Sequence, residues 1–171
     1  MPNATKPDAI ALLKADHRKV EELFESFESA KGSGKKKALA EQICMELTIH
    51  TKIEEDIFYP ACEGAVDEKV IKEAYVEHDA AKVLIAEIEA GGPSDEFYDA
   101  KVKVLSEMIT HHVKEEEKRV EGMFAQARDA GLDLSDLGER MDAEKHKLLA
   151  AFEKSGVPKP EPVALEAATI A

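Results

Sequence analysis

Three observations predict an all-α fold, an up-down-up-down four-helix bundle with an additional short C-terminal helix and tail. Charged residues make up 35% of the chain, aromatics only 5%, and Trp is absent; the Ala, Glu, Lys and Leu that dominate instead are strong helix formers. Four segments carry apolar residues in steps of three and four. The breaks between them are short, so successive helices run antiparallel as neighbours.

Helix 1 is expected from about Asp8 to Ala30, with Ile10, Leu13, His17, Val20, Phe24 and Phe27 on its inner stripe. Lys31-Gly32-Ser33-Gly34 breaks it, and Ser33 is placed as the cap of helix 2. Helix 2 carries Leu39, Ile43, Leu47, His50, Glu54, Ile57 and Ala61 and runs to roughly Gly64, with a kink or early end at Pro60. Asp67 caps helix 3, whose stripe is Ile71, Ala74, His78, Ala81, Ile85 and Ile88. After Gly91-Gly92-Pro93, Ser94 caps helix 4, which carries Val102, Leu105, Ile109, His112, Glu116 and Val120 and ends near Gly131. Residues 1–130 thus form the bundle. Residues 131–171 add a shorter helix, capped by Ser135 and reaching about Lys154, and a Pro/Ala-rich tail that trails the bundle or docks on it.

Each stripe places one histidine near mid-helix, so the four lie at similar depth. His50/Glu54 and His112/Glu116 are spaced by four, which sets each pair on one helix face. His17 and His78 are 61 apart (78 − 17) and His50 and His112 are 62 apart (112 − 50), so the chain is a repeat of two halves. A carboxylate in a dry interior is protonated, paired or metal-bound, and no Lys or Arg stands at that depth on the neighbouring stripes. His17, His50, Glu54, His78, His112 and Glu116 are therefore the candidate metal ligands. Four imidazoles and two carboxylates exceed one tetrahedral zinc and suit two ions bridged by the carboxylates. The N/O mixture favours iron or manganese, with zinc as an opportunistic substitute.

Other residues compete. His111/Glu115 has the same spacing, but the stripe prefers His112/Glu116. Glu21 is a weaker oxygen candidate, and Tyr75, one turn before His78, either faces the site or packs in the core. His146 is expected to be exposed, and Phe24, Phe27 and Phe58 to be core. Glu115, Glu117, Lys118 and Arg119 read as a mostly solvated run around the inward Glu116. Cys44 and Cys62, with no Cys-x-x-Cys, read as buried inert thiols of a reducing compartment. Net charge −13 argues against a nucleic-acid partner. The absence of an apolar run at the start or of a membrane-length stretch makes a soluble, cytoplasmic protein the expectation. His-Glu-x-x-His, Glu-x-x-His and glycine-rich phosphate loops are all missing.

The ordered set Asp16-His17, His50-Thr-Lys-Ile-Glu54-Glu-Asp-Ile-Phe-Tyr-Pro60, Glu77-His78-Asp79 and His111-His112-Val-Lys-Glu-Glu116 resembles the hemerythrin-like HHE cation-binding domains over about residues 8–130. The resemblance implies a bundle holding a non-haem di-iron centre on the same six residues, carboxylate-bridged and completed by an oxo or hydroxo group. Oxygen-carrying members add a fifth histidine and an Asp in the last motif, and neither is matched here. Arg119-Val120-Glu121-Gly122 also stands where Ile57-Phe58-Tyr59-Pro60 would align. The expected activity is binding or sensing of O2 or a related small oxidant, so the expected partner is a small diatomic or peroxide ligand. A di-iron enzyme reducing peroxide or NO is the alternative, and a metal-free helical interaction module is the second.

Overall fold

The computed structural model describes residues 6–166. Four helices close a ring: α1 (Ala9–Ser29), α2 (Ser33–Ile53), α3 (Glu68–Ala90) and α4 (Tyr98–Glu117). α1 packs on α2, α2 on α3, α3 on α4, and α4 back on α1. Asp8 caps α1 by accepting the Ala11 N–H at 2.8 Å, and Asp67 caps α3 through Lys69 at 2.9 Å. The serine caps expected for the second and fourth helices, Ser33 and Ser94, are not used. α2 starts at Ser33 itself, behind Gly32. α4 starts at Tyr98, after a turn in which Asp95 accepts the Gly92 N–H at 2.8 Å.

Helix α2 changes pitch at its end instead of stopping. Glu54–Phe58 forms a π-helical turn, and one more α-turn, Tyr59–Cys62, succeeds it. Pro60 lacks an N–H and would crowd the carbonyl four residues back, and the wider turn relieves both problems. The inserted residue rotates the final turn about the helix axis. Ile57 and Ala61, expected inside, are only partly buried. Phe58, Tyr59 and Cys62 take the interior, each at 0% exposure.

Helix α4 ends at Glu117, well short of Gly131, and Val120 is exposed rather than on the stripe. The chain folds back at Gly122, where a Cβ would lie 2.5 Å from the Lys118 carbonyl oxygen and 2.6 Å from that of Glu116. Only glycine permits so close an approach. The short α5 (Met123–Asp129) then drives Met123 and Phe124 into the core.

The C-terminal helix α6 (Leu134–Ser155) has 22 residues, as long as the bundle helices rather than shorter. Asp133, not Ser135, caps it. It lies on α1 and α2 and adds Leu137, Met141, Leu148 and Phe152 to the core. The tail docks as a strap on α3: the Asp79 carboxylate accepts the N–H groups of Val163, Ala164 and Leu165, and Lys82 donates to the Glu161 carbonyl at 3.0 Å. The Ala-rich end, residues 167–171, lies outside the described residues.

The core is two apolar clusters. One holds Leu13, Ile53, Ala74 and Met123, and the other holds Val20, Leu47, Ala81 and Ile109. On α1, α2 and α3 the histidine falls between a member of one cluster and a member of the other, and His112 comes just after Ile109 on α4. The four histidines thus form a polar layer sealed above and below by hydrocarbon. No helix among the described residues is long and apolar enough to cross a membrane.

Candidate metal centre

All six predicted residues meet in that layer. His17, His50, Glu54, His78, His112 and Glu116 are each 5% exposed or less. Every histidine turns Nε2 inward. His17 and His50 face each other at 3.2 Å between Nε2 atoms, and His78 and His112 do so at 3.1 Å. Glu54 Oε2 lies 3.3 Å from His50 and 3.2 Å from His78, so it spans the two halves. Glu116 does the same in the other sense, 3.4 Å from His112 through Oε1 and 3.4 Å from His17 through Oε2. The donor atoms fall into two groups within 4.8 Å: His17, His50, Glu54 and Glu116 in one, and Glu54, His78 and His112 in the other.

Outside this ring stands a second layer that stripe periodicity does not identify. Each outward Nδ1 has its own carboxylate: Glu117 for His17 at 2.7 Å, Asp16 for His50 at 3.5 Å, Glu55 for His78 at 3.0 Å and Glu77 for His112 at 2.6 Å. A carboxylate on Nδ1 fixes the tautomer and leaves Nε2 free to bind. Each of these carboxylates in turn meets a basic group: Arg18 on Glu117, Lys145 on Asp16, Lys82 on Glu55 and His111 on Glu77. The wiring is two-fold. Asp16 and Glu77 serve the second histidine of their own half, while Glu55 and Glu117 cross to the lone histidine of the other half. The signal in the sequence is the recurring acidic neighbour in Asp16-His17, Glu54-Glu55, Glu77-His78 and Glu116-Glu117. Glu117 is therefore not part of a solvated run but a partner of His17. Lys82, one turn past His78, is buried but serves Glu55 and Asp79 rather than the inner carboxylates.

Tyr59 breaks the symmetry. Its hydroxyl lies 2.9 Å from Glu116, 3.2 Å from Glu54 and 3.1 Å from His78. Burial first, then the Glu116 and Glu54 charges, push the phenol well above its ordinary range, so it stays protonated and donates. Sequence reasoning missed it because five residues after Glu54 is off a regular helical face, and only the π turn brings it round. Tyr75 does not reach the site and packs edge-on against Tyr59, ring centroids 5.2 Å apart. Phe124, also unforeseen, stacks on His17 at 5.9 Å. Glu21 pairs with Arg18 at the surface, and His111 and His146 are exposed. Cys44 and Cys62 are buried thiols that burial, ahead of nearby glutamates, pushes up to about 12, beyond thiolate chemistry at neutral pH.

In the metal-free protein the layer is an ion-pair network. Burial alone would lower His50, yet Glu54 and Asp16 hold it up at about 10. His112 is held well above its ordinary value, Glu116 and Glu77 outweighing burial. Burial and Glu116 raise Glu54, but His50 and His78 prevail and bring it to about 2. The raised histidine contributes stability fully below its ordinary 6.5 and loses it as pH climbs through about 10. The depressed Glu54 contributes above its ordinary 4.5 and loses it as pH falls through about 2. Metal-free protein should therefore need more urea to unfold at pH 6 than at pH 9. Cation binding requires neutral imidazoles, so loading should release protons into a weakly buffered indicator solution.

The geometry agrees with three comparisons. Residues 8–124 match the Hemerythrin HHE cation binding domain family. A DNA nickase of Nostoc sp. (strain PCC 7120) is 30% identical over 118 residues, 69% of this chain, but the chain spans only 33% of that protein's length. The crystal structure of a Hemerythrin HHE cation binding domain-containing protein from Mycobacterium kansasii is similar with a TM-score of 0.71 and 25% identity, covering 88% of this chain and 95% of the other. That coverage exceeds the family match of 117 residues (124 − 8 + 1), so the likeness extends beyond it. With the family matched over most of its length, and a buried His/Glu cluster at the bundle centre, the chain belongs to the hemerythrin HHE cation-binding domain family.

Proposed function

We propose that the protein is a non-haem di-iron binding protein whose centre binds or senses O2 or a related small oxidant. One observation carries the metal: among the described residues, the buried side-chain oxygens without a hydrogen-bond partner are Glu54 Oε1 and Glu116 Oε2. An orphaned buried carboxylate oxygen costs several kcal/mol unless a cation meets it. His17 and His50 would hold one ion and His78 and His112 the other, with Glu54 and Glu116 shared. Manganese or zinc are substitutes the same donors accept. When bound, two irons would supply the electrons for O2 or peroxide chemistry.

The chain's own residues set what reaches them. A cavity of about 10 Å³ touches all four histidines and is walled by Val20, Leu47, Ile109 and Val113. It holds one water-sized molecule, which favours a diatomic or peroxide ligand over any larger substrate. The second reading, a di-iron enzyme reducing peroxide or NO, is favoured by Tyr59, whose O–H is a proton donor inside the centre. Metal analysis of protein grown in iron-replete medium tests the proposal: two irons per chain support it, and metal-free protein that takes up no added iron leaves the helical-module reading. Peroxide and NO turnover assays separate binder from enzyme. Apart from the metal, Tyr59→Phe removes the donor shared by two buried carboxylates. It should cost about 1–3 kcal/mol in denaturant unfolding of the metal-free protein.

A further inference from the structure

The two halves of the repeat differ at one place that opens on the centre. A cavity of about 120 Å³ lies between α3 and the fold-back after α4. Its inner wall includes His112 and Glu116, 4% and 2% exposed, two of the six central residues. Toward solvent it is lined by Glu73, Glu115 and Glu121, with Lys118 beside them, and by Glu77, the carboxylate on His112 Nδ1. The repeat offset identifies the counterparts in the first half. Glu73 answers to Leu12 (73 − 61), Glu115 to Ile53 (115 − 62) and Glu121 to Tyr59 (121 − 62). Those counterparts are 5%, 0% and 0% exposed. The first half therefore fills this position with buried, uncharged side chains, Leu12, Ile53 and Tyr59, and α6 covers α1 and α2. The second half has three glutamates there. The early end of α4 leaves their position uncovered, because the chain turns away at Gly122 where the first half continues into Tyr59.

The other openings do not serve. The cavity of about 380 Å³ under the C-terminal strap touches none of the six central residues and mixes Lys52, Lys82 and Lys159 with its acids. The groove of about 420 Å³ at Val76 and Val104 is open, largely apolar and has none of the six in its lining. The cavity of about 10 Å³ on the histidines, lined by Val20, Leu47, Ile109 and Val113 as well as Asp16 and Thr51, is too small for a hydrated ion.

We infer that the Glu73/Glu115/Glu121 cavity is the route by which divalent cations reach the centre. A cleft of one sign of charge raises the local concentration and arrival rate of the opposite charge by about 10- to 1,000-fold. Glu116 and His112, at its inner wall, are the central residues the cavity reaches. Lys118, 2.6 Å from Glu115, opposes the field and sets how fast ions pass. The inference rests on the proposed metal centre, and the test separates the two.

Chelator-treated full-length protein is mixed with Co²⁺ in a stopped-flow absorbance experiment at low ionic strength. E73Q/E115Q/E121Q should load about five- to tenfold more slowly, with a flatter salt dependence and the same final number of Co²⁺ per chain. Lys118→Gln should load faster than wild type. E25Q/E139Q/E153Q, which changes net charge equally on α1 and α6 away from the cavity, should load at the wild-type rate. Wild-type loading by the cavity triple overturns the route, as does equal slowing by the remote triple, which would assign the effect to overall charge. Wild-type protein that takes up no Co²⁺ at equilibrium overturns the metal centre itself. The substituted glutamates are on the surface, so helical circular dichroism should be unchanged in every variant.

Discussion

His112→Ala is expected to leave at most one tightly held ion per chain, while His111→Ala keeps two. The two histidines are adjacent, and His111/Glu115 has the same spacing as His112/Glu116. A helix turns about 100° per residue, so only one can face the core. His112 does, with Nε2 3.1 Å from that of His78 and its Nδ1 on Glu77. Removing it takes one of two imidazoles from the second donor group and leaves Glu116 without its own-helix partner. The His111 side chain is 62% exposed and reaches the centre only through Glu77, at 3.3 Å. A partner so far out and so wet contributes little. Metal content after gel filtration, measured on both variants side by side, checks this. Equal losses would overturn the assignment of the inner register.

The contrast also shows what a helical repeat can and cannot reveal. His17, His50, Glu54, His78, His112 and Glu116 were legible because each is a regular step from the residues before it on its stripe, Glu54 standing where the π turn only begins. Tyr59 was illegible for the converse reason. It reaches the centre through a π turn that a regular repeat would never draw, and Pro60 was its only mark in the sequence. Phe124 was hidden by the same kind of irregularity, the fold-back at Gly122 that ends α4 early. The outer carboxylates failed differently. Asp16, Glu55, Glu77 and Glu117 flank the inner residues and look like solvated charge until the facing helix is in place, since Glu55 and Glu117 serve histidines in the other half. Local sequence holds no record of such crossings. The length and docking of α6 were also tertiary facts. Its stripe of Leu137, Met141, Leu148 and Phe152 signals an amphipathic helix, but only contact with α1 and α2 shows that it completes the core.

Metal loading is expected to raise the thermal midpoint by about 8–16 °C, and chelation to remove the gain. Any ligand that binds the folded chain alone stabilises it, by about 4 kcal/mol at a thousandfold excess over Kd. For a domain of this size each kcal/mol moves the midpoint by roughly 2–4 °C. The gain is specific to this layer because the metal-free centre is poorly satisfied. Glu54 Oε1 and Glu116 Oε2 accept no hydrogen bond, and burial and then the Glu116 charge push Glu54 up while His50 and His112 must carry protons to hold the pair. A bound cation would replace those protons and be held by the same two carboxylates. The increment should therefore grow from pH 6 to pH 8, as the proton competing for each imidazole becomes scarcer. Replacing both carboxylates, E54Q/E116Q, should abolish the increment without unfolding the protein, since the amides still fill the same volume between the two apolar clusters. Differential scanning calorimetry with and without Fe²⁺, under anaerobic conditions, reads all of these. A midpoint that neither iron nor chelator moves would make the buried His/Glu layer an ion-pair network in its own right, and the protein a helical module that needs no metal.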